Sequence, residues 1–204
     1  MSADAQTYAE ILSDFIEDPP RAAEVVGRGR PVALGVLAFL SAGVSVFLAQ
    51  ALLRPAGLSA VSGFSLAFHC GWQIVSGFFL AAVLHLLAEA SGGGSLRGEA
   101  SGLFVLLGLS ESAWALAVPA ALLLRLLAPS AWGARTALFA AIGLATLILK
   151  ARSVRDNYGM SMGKAWLILL APILAVSALV AALVLFAVVG AVSAVSHAFL
   201  FRSL

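Results

Sequence analysis

The chain has 204 residues, of which 62% are hydrophobic and 11% are charged, and its mean hydropathy is +1.04. Soluble domains carry about 25% charged residues, so this composition indicates a membrane protein. The net charge is only +2, and we expect the basic residues to orient the chain in a membrane rather than to form a nucleic-acid surface.

Three long segments carry no Asp, Glu, Lys or Arg: residues 31–53, 55–88 and 165–201. Each exceeds the roughly 20 residues that a helix needs to cross a bilayer, which excludes a soluble enzyme with a single anchor. The pattern predicts an all-α, multi-pass transmembrane helical bundle of residues 31–204 behind a tail of residues 1–30. We expect five spans, at about 31–53, 64–88, 101–124, 131–149 and 165–190.

The tail is predicted to contain a short amphipathic helix. Thr7 and Glu10 have the spacing of a capping box, and Pro19-Pro20 is expected to stop the helix. The apolar residues that recur on one side are Tyr8, Ile11, Leu12, Phe15 and Ile16. This helix either lies on the bilayer or under the bundle, or it docks a cytoplasmic partner.

The last charge-free segment is too long for one span. Its 37 residues would form a helix of about 55 Å, whereas the hydrocarbon core is about 30 Å thick. We therefore expect the helix to end or bend near Gly190 and residues 191–201 to lie at the outer interface. A sixth span is the alternative.

The basic residues predict the orientation. Five spans put eight on the side of the tail and four on the other, so the positive-inside rule predicts a cytoplasmic N-terminus. The tail lacks the basic start of a secretory signal, and the first span should stay uncleaved. The eight are Arg21, Arg28, Arg30, Arg97, Lys150, Arg152, Arg155 and Lys164, and the four are Arg54, Arg125, Arg135 and Arg202.

The segment 150–164 is predicted to be a polar cytoplasmic loop, punctuated by Asn157, Gly159 and Gly163. It either only sets the topology or forms an interaction surface for a partner or for anionic lipid headgroups. The residues of this candidate surface are Lys150, Arg152, Arg155 and Lys164.

Three polar residues inside the spans form a candidate intramembrane cluster: His69, Gln73 and Glu111. A charge at mid-bilayer is costly, so we expect Glu111 to be protonated or hydrogen-bonded, with Gln73 as its economical partner. If Glu111 is hydrogen-bonded to Gln73, we expect the substitution Glu111→Gln to be tolerated. The alternative is that the three residues line a path for protons or for a solute. His85 and Glu89 are expected to form an ordinary pair at a helix end.

Other spans carry features of packing rather than of catalysis. Cys70 is the only cysteine, so neither an intrachain disulfide nor a cysteine metal cluster is expected, and no catalytic, metal or cofactor-binding residues are predicted. No zinc-protease, serine-hydrolase or phosphate-loop motif is present. The small residues expected to allow close helix contact are Gly35, Ala38, Ala42, Gly43, Gly71, Gly77 and Ala81.

The order of motifs resembles the bacterial branch of the Yip membrane domain, the Ypt/Rab-interacting protein family. The resemblance rests on short segments in residues 10–188: ILSDFIEDPPR at 11–21, a Gly-Gly-Gly-Ser turn, LGLS at 107–110, and YGMS at 158–161 before the last span. Members commonly carry a proline just after the serine of the third span, whereas here it is delayed to Pro119. The resemblance implies five spans and a cytoplasmic N-terminus, and we carry no GTPase partner over from it.

These observations predict a non-enzymatic integral protein of a bacterial inner membrane. It would act through association with lipid or with other membrane proteins, including a second copy, as a scaffold, a trafficking-like protein or an accessory subunit. The alternative is a small-solute or proton-coupled permease that uses Glu111. An intramembrane enzyme is disfavoured because no pair of nucleophile and base is visible in the sequence.

Overall fold

The computed structural model describes residues 7–54, 62–92, 98–128 and 132–202, with the backbone alone for residues 191–202. Nearly all of the described residues are helical, and five helical segments are long and apolar enough to cross a membrane. The fold class is therefore the predicted multi-pass helical bundle. Arg97, Ala131 and most of the glycine-rich turn lie outside the described residues, as do the side chains of 191–201.

The tail folds into two helices, α1 (Tyr8–Glu17) and α2 (Pro19–Gly29). Both hydrogen bonds of the predicted capping box between Thr7 and Glu10 are present. Of the apolar side chains of α1, Ile11 and Phe15 are buried, whereas Tyr8, Leu12 and Ile16 are exposed. The helix therefore packs through Ile11 and Phe15 and leaves the other three apolar side chains exposed.

The second tail helix was not predicted, because Pro19-Pro20 was interpreted only as a stop signal. Pro is favourable in the first turn of a helix, where a missing N–H is no loss. Asp18 caps this turn by accepting a hydrogen bond from the Arg21 N–H at 3.4 Å. The Asp-Pro-Pro sequence was therefore the signal that marks the start of α2.

The centre of the bundle is α5 (Ala100–Glu111), in which every residue from Gly102 to Glu111 is buried. Around it pack α3 (Val32–Leu53), α4 (Gly63–Ala90), the tail helix α2, and α7 (Trp132–Tyr158). Two glycines bring α3 and α5 together, since a Cβ on Gly108 would lie 2.8 Å from the carbonyl oxygen of Gly35. Gly43 and Gly77 likewise face α4 and α3, but nothing lies within 4 Å of a Cβ on Gly71, so its predicted contact is wrong.

The third span is broken in the middle. After α5 the chain forms a 3₁₀ segment, Ser112–Leu116, and then α6 (Ala117–Leu127). Pro119 explains the break, because it has no N–H to bond the carbonyl of Ala115 and its ring crowds that turn. Glu111 is thus the last α-helical residue before the irregular segment.

The predicted loop at 150–164 is mostly helix. α7 continues to Tyr158, and only residues 159–161 separate it from α8 (Met162–Arg202). Gly159 ends α7 with a positive φ of 63°, which glycine adopts without strain. The basic residues at 150–155 are compatible with a helix. Of the three residues that were expected to interrupt the segment, only Gly159 ends a helix, because Asn157 lies within α7 and Gly163 within α8.

The helix of the last span does not end near Gly190, although the candidate membrane span, Met162–Gly190, is close to the predicted 165–190. α8 runs without interruption for 41 residues, although it contains Pro172. Gly190 alone is a weak helix breaker, since one glycine in a helix costs only about 1 kcal/mol. We call residues 173–190 the α8 arm, because all of them are exposed, while Ala165, Ile168 and Leu169 anchor the start of α8 in the core.

The ends of the bundle differ in their polar contacts. At one end, α2 packs on α5 and α7, and Arg30 forms an ion pair with Glu99. At the other end, the guanidinium groups of Arg125 and Arg135 donate to the carbonyls of Leu52 and Leu53, the last residues of α3. Cations are favourable at a helix C-terminus. The tail, the start of α5 and the end of α7 are therefore on one side, as the topology predicts.

Candidate intramembrane polar site

An ion pair lies inside the bundle between α5 and α7. The Lys150 Nζ atom is 2.5 Å from the Glu111 Oε1 atom, and the two side chains are 18% and 8% exposed. Lys150 lies more than two helical turns before the end of α7, so its side chain reaches inward at the depth of Glu111. Each charge neutralises the other, which lowers the high cost of burying either one alone.

This pair corrects two sequence predictions. Gln73 was expected to bond Glu111, and Lys150 was assigned to a cytoplasmic loop; the structure instead pairs Lys150 with Glu111. The reason is the extension of α7 to Tyr158, which moves Lys150 from the surface into the membrane-spanning part. A full opposite charge satisfies a carboxylate better than an amide does.

The ion pair borders a cavity of about 330 Å³. Its polar lining also includes Gln73 and Ser76 of α4, one helical turn apart. The hydroxyl of Ser76 donates to the carbonyl of Gln73 at 3.1 Å, whereas the Gln73 amide makes no hydrogen bond within the described part of the chain. The apolar lining is formed by Phe39, Gly77, Phe79, Leu80, Val83 and Pro172.

His69 is separated from the other two members of the predicted cluster. It does not line the cavity; its ring packs on Phe47 with a centroid distance of 5.7 Å. Its Nε2 atom is buried without a hydrogen-bond partner among the described residues. The structure therefore brings Gln73 and Glu111 to one cavity and leaves His69 at an α3–α4 contact, next to buried Cys70.

A second polar cluster ties α4 to α7 at the tail end of the bundle. The predicted pair is present, with the His85 Nε2 atom 3.3 Å from Glu89 Oε1. His85 Nδ1 is also 2.6 Å from the Tyr158 hydroxyl, a contact that the sequence did not indicate. Next to it, the Asn157 amide donates to the carbonyl of Glu99 at 3.4 Å.

The candidate basic surface is smaller than predicted. Lys150 faces Glu111 inside the bundle, and Arg155 pairs with Asp156 at 2.7 Å. Arg152 is exposed and Lys164 is half-buried. Two of the four cations therefore remain for a partner or an anionic headgroup.

A pair of buried hydroxyl groups, which was not predicted from the sequence, also joins α5 and α7. Ser110 and Ser153 lie 2.9 Å apart between α5 and α7, and the Ser153 hydroxyl is within 3.2 Å of the carbonyl of Leu106. Ser153 lies three residues after Lys150 and therefore on the same face of α7. That spacing was the available signal that this face of α7 meets another helix.

Among the described residues, no group of His, Cys, Asp and Glu is arranged to hold a metal ion. Comparison of the chain with protein-family models, with curated proteins and with solved structures finds no match. The resemblance to the Yip family therefore stays a prediction from the sequence. What is shown is a multi-pass helical membrane protein with a charged pair on a partly open cavity.

Proposed function

We propose that this chain is a non-enzymatic integral membrane protein that acts through association with lipid or with other membrane proteins, including a second copy of itself. A bacterial inner membrane with the N-terminus in the cytoplasm is part of this proposal. It draws support from the charge count and from the resemblance to the Yip family.

The observation that carries the proposal is the α8 arm. Its 18 residues extend about 27 Å at the rise of an α-helix, close to the thickness of the hydrocarbon core. None of them is buried, and large apolar side chains such as Leu183 and Phe186 are exposed over 59% and 80% of their surface. This span is anchored at one end and leaves its full circumference available to lipid or to another membrane protein.

Cysteine cross-linking in native membranes tests the proposal. We would replace Cys70 by Ala and place a single cysteine at Leu183 in the arm or at Leu123 of α6. These leucines are matched in exposure, 59% and 58%. We expect oxidation to cross-link the Leu183→Cys chain to another protein or to a second copy several-fold more than the Leu123→Cys chain. Equal, low cross-linking at both positions would leave lipid as the arm's neighbour and overturn its role in protein association.

A permease is the second candidate, favoured by the cavity at Glu111. A proton-coupled role needs a carboxyl group that changes protonation during transport. Glu111 would be that group, and in the structure it forms an ion pair with Lys150. The test is uptake driven by a pH gradient in reconstituted vesicles, with wild type compared with the double variant Glu111→Gln, Lys150→Gln. Uptake by the wild type that the double variant loses would support the permease, and identical behaviour would exclude a proton-coupled role for the pair.

A further inference from the structure

The cavity between α4, α5 and α7 has unused hydrogen-bonding capacity at its polar end. An ammonium group has three N–H donors, and in the described structure Lys150 donates one of them to Glu111. The Gln73 amide adds two donors and one acceptor with no partner among the described residues. Both side chains are partly buried and line the same cavity, so a ligand or water at this end would find donors that are free to bond it.

The charge of this end restricts the ligand. Lys150 and Glu111 together carry no net charge, so an anion attracted by Lys150 is repelled by Glu111, and a cation meets the reverse. A neutral hydroxyl or carbonyl oxygen has no such conflict. It can accept from Lys150 or from Gln73 without removing the ammonium from its carboxylate.

The apolar walls of the cavity indicate the size and polarity of the rest of the ligand and the side from which it enters. Phe39, Leu80 and Val83 are apolar, and the volume of about 330 Å³ is roughly twice that of a cavity that holds one benzene ring. Phe79, which is 70% exposed, and Pro172, the last α8 residue before the arm, line the outer side. The cavity therefore meets the bilayer between α4 and α8.

We propose that this cavity binds a small neutral lipophilic molecule taken from the bilayer. Its single hydroxyl or carbonyl group would contact Gln73 and the Glu111–Lys150 pair, and its apolar body would pack on Phe39, Leu80 and Val83. This inference is independent of the association proposal, which concerns the α8 arm.

Photolabelling of the full chain in lipid nanodiscs tests the inference, with an octanol derivative that carries a diazirine as the probe. We expect saturable labelling of the α4 segment 73–83, prevented by unlabelled 1-octanol. Octanoate and octylammonium should compete several-fold less well. Labelling spread evenly over the exposed helix faces would overturn the site, and better competition by either ion would overturn the neutral ligand.

Two matched pairs of variants locate the site. Val83→Phe fills the cavity and should reduce labelling about tenfold, whereas Val75→Phe, on the exposed face of the same helix, should not change it. If Val83→Phe does not fold, Gln73→Leu keeps the size of the side chain and should weaken 1-octanol competition about fivefold, the effect of one hydrogen bond. Gln50→Leu, at an exposed glutamine of α3, is its control. Unchanged labelling in both Val83→Phe and Gln73→Leu would exclude the cavity.

Discussion

The third and fifth spans rank in opposite order by hydropathy and by burial. The fifth span is the most apolar of the five, and none of its most apolar 18-residue stretch is buried; in the third span, the least apolar, 56% of that stretch is buried. Lipid tails are as apolar as leucine, so hydropathy drives a helix into the membrane but does not drive it against another helix. In the third span, close contact of Gly108 with Gly35 and the Glu111–Lys150 pair join the helix to its neighbours.

The largest expected change in stability concerns the Glu111–Lys150 ion pair, which involves the third span and has no counterpart in the α8 arm. We expect Glu111→Gln to lower the free energy of unfolding in detergent by about 3 kcal/mol, because it leaves the Lys150 ammonium buried without a counter-charge. This reverses the tolerance expected from a hydrogen bond to Gln73. Thermal unfolding of the purified chain measures the change.

The double variant Glu111→Gln, Lys150→Met is the control for this prediction. It removes both charges, so most of the lost stability should return. A double variant that is as unstable as Glu111→Gln would show that Lys150 is not the group that makes the single substitution costly.

A second prediction compares one leucine from each region. Leu106 is 1% exposed at the centre of α5, and Leu183 is 59% exposed in the arm. We expect Leu106→Ala to cost about 2.5 kcal/mol, because it opens a cavity in packed surroundings, and Leu183→Ala to change the stability of the monomer by less than about 0.5 kcal/mol. An equally large loss for Leu183→Ala would mean that the arm packs on a partner in the sample measured, which size-exclusion chromatography would reveal.

A third prediction concerns the glycines that hold α3 against α5. Gly108→Ala would place a Cβ 2.8 Å from the Gly35 carbonyl oxygen, so the backbones must separate, and we expect a loss of about 2 kcal/mol. Gly71→Ala is the matched control, since its Cβ meets nothing within 4 Å. It should be neutral or stabilising, because alanine is the better helix former. Equal effects at the two positions would contradict close packing as the reason for Gly108.

The membrane spans could be predicted from the sequence because charge-free length is a sufficient signal for insertion. The partner of Glu111 could not, because it depended on how far α7 extends past Lys150. Helix termini are the least certain feature of a sequence pattern. The same uncertainty produced the missed α2 after Pro19 and the expected stop at Gly190, where a single glycine was given more weight than its helix-breaking effect supports.

The smallest expected effect belongs to the buried hydroxyl pair between α5 and α7. Ser153 contacts both Ser110 and the carbonyl of Leu106, yet interhelical hydrogen bonds in membranes contribute only about 0.6 kcal/mol on average. We expect Ser153→Ala to lower the free energy of unfolding by about that amount, and Ser177→Ala, at an exposed serine of the arm, to leave it unchanged. Equilibrium unfolding in bicelles has the precision for this difference if the variants are measured in parallel. A loss of several kcal/mol at Ser153 would mean that the hydroxyl pair, rather than apolar contact across α5, holds α7 in place. No difference between the two serines would mean that the steric fit around α5 alone distinguishes the packed spans from the arm.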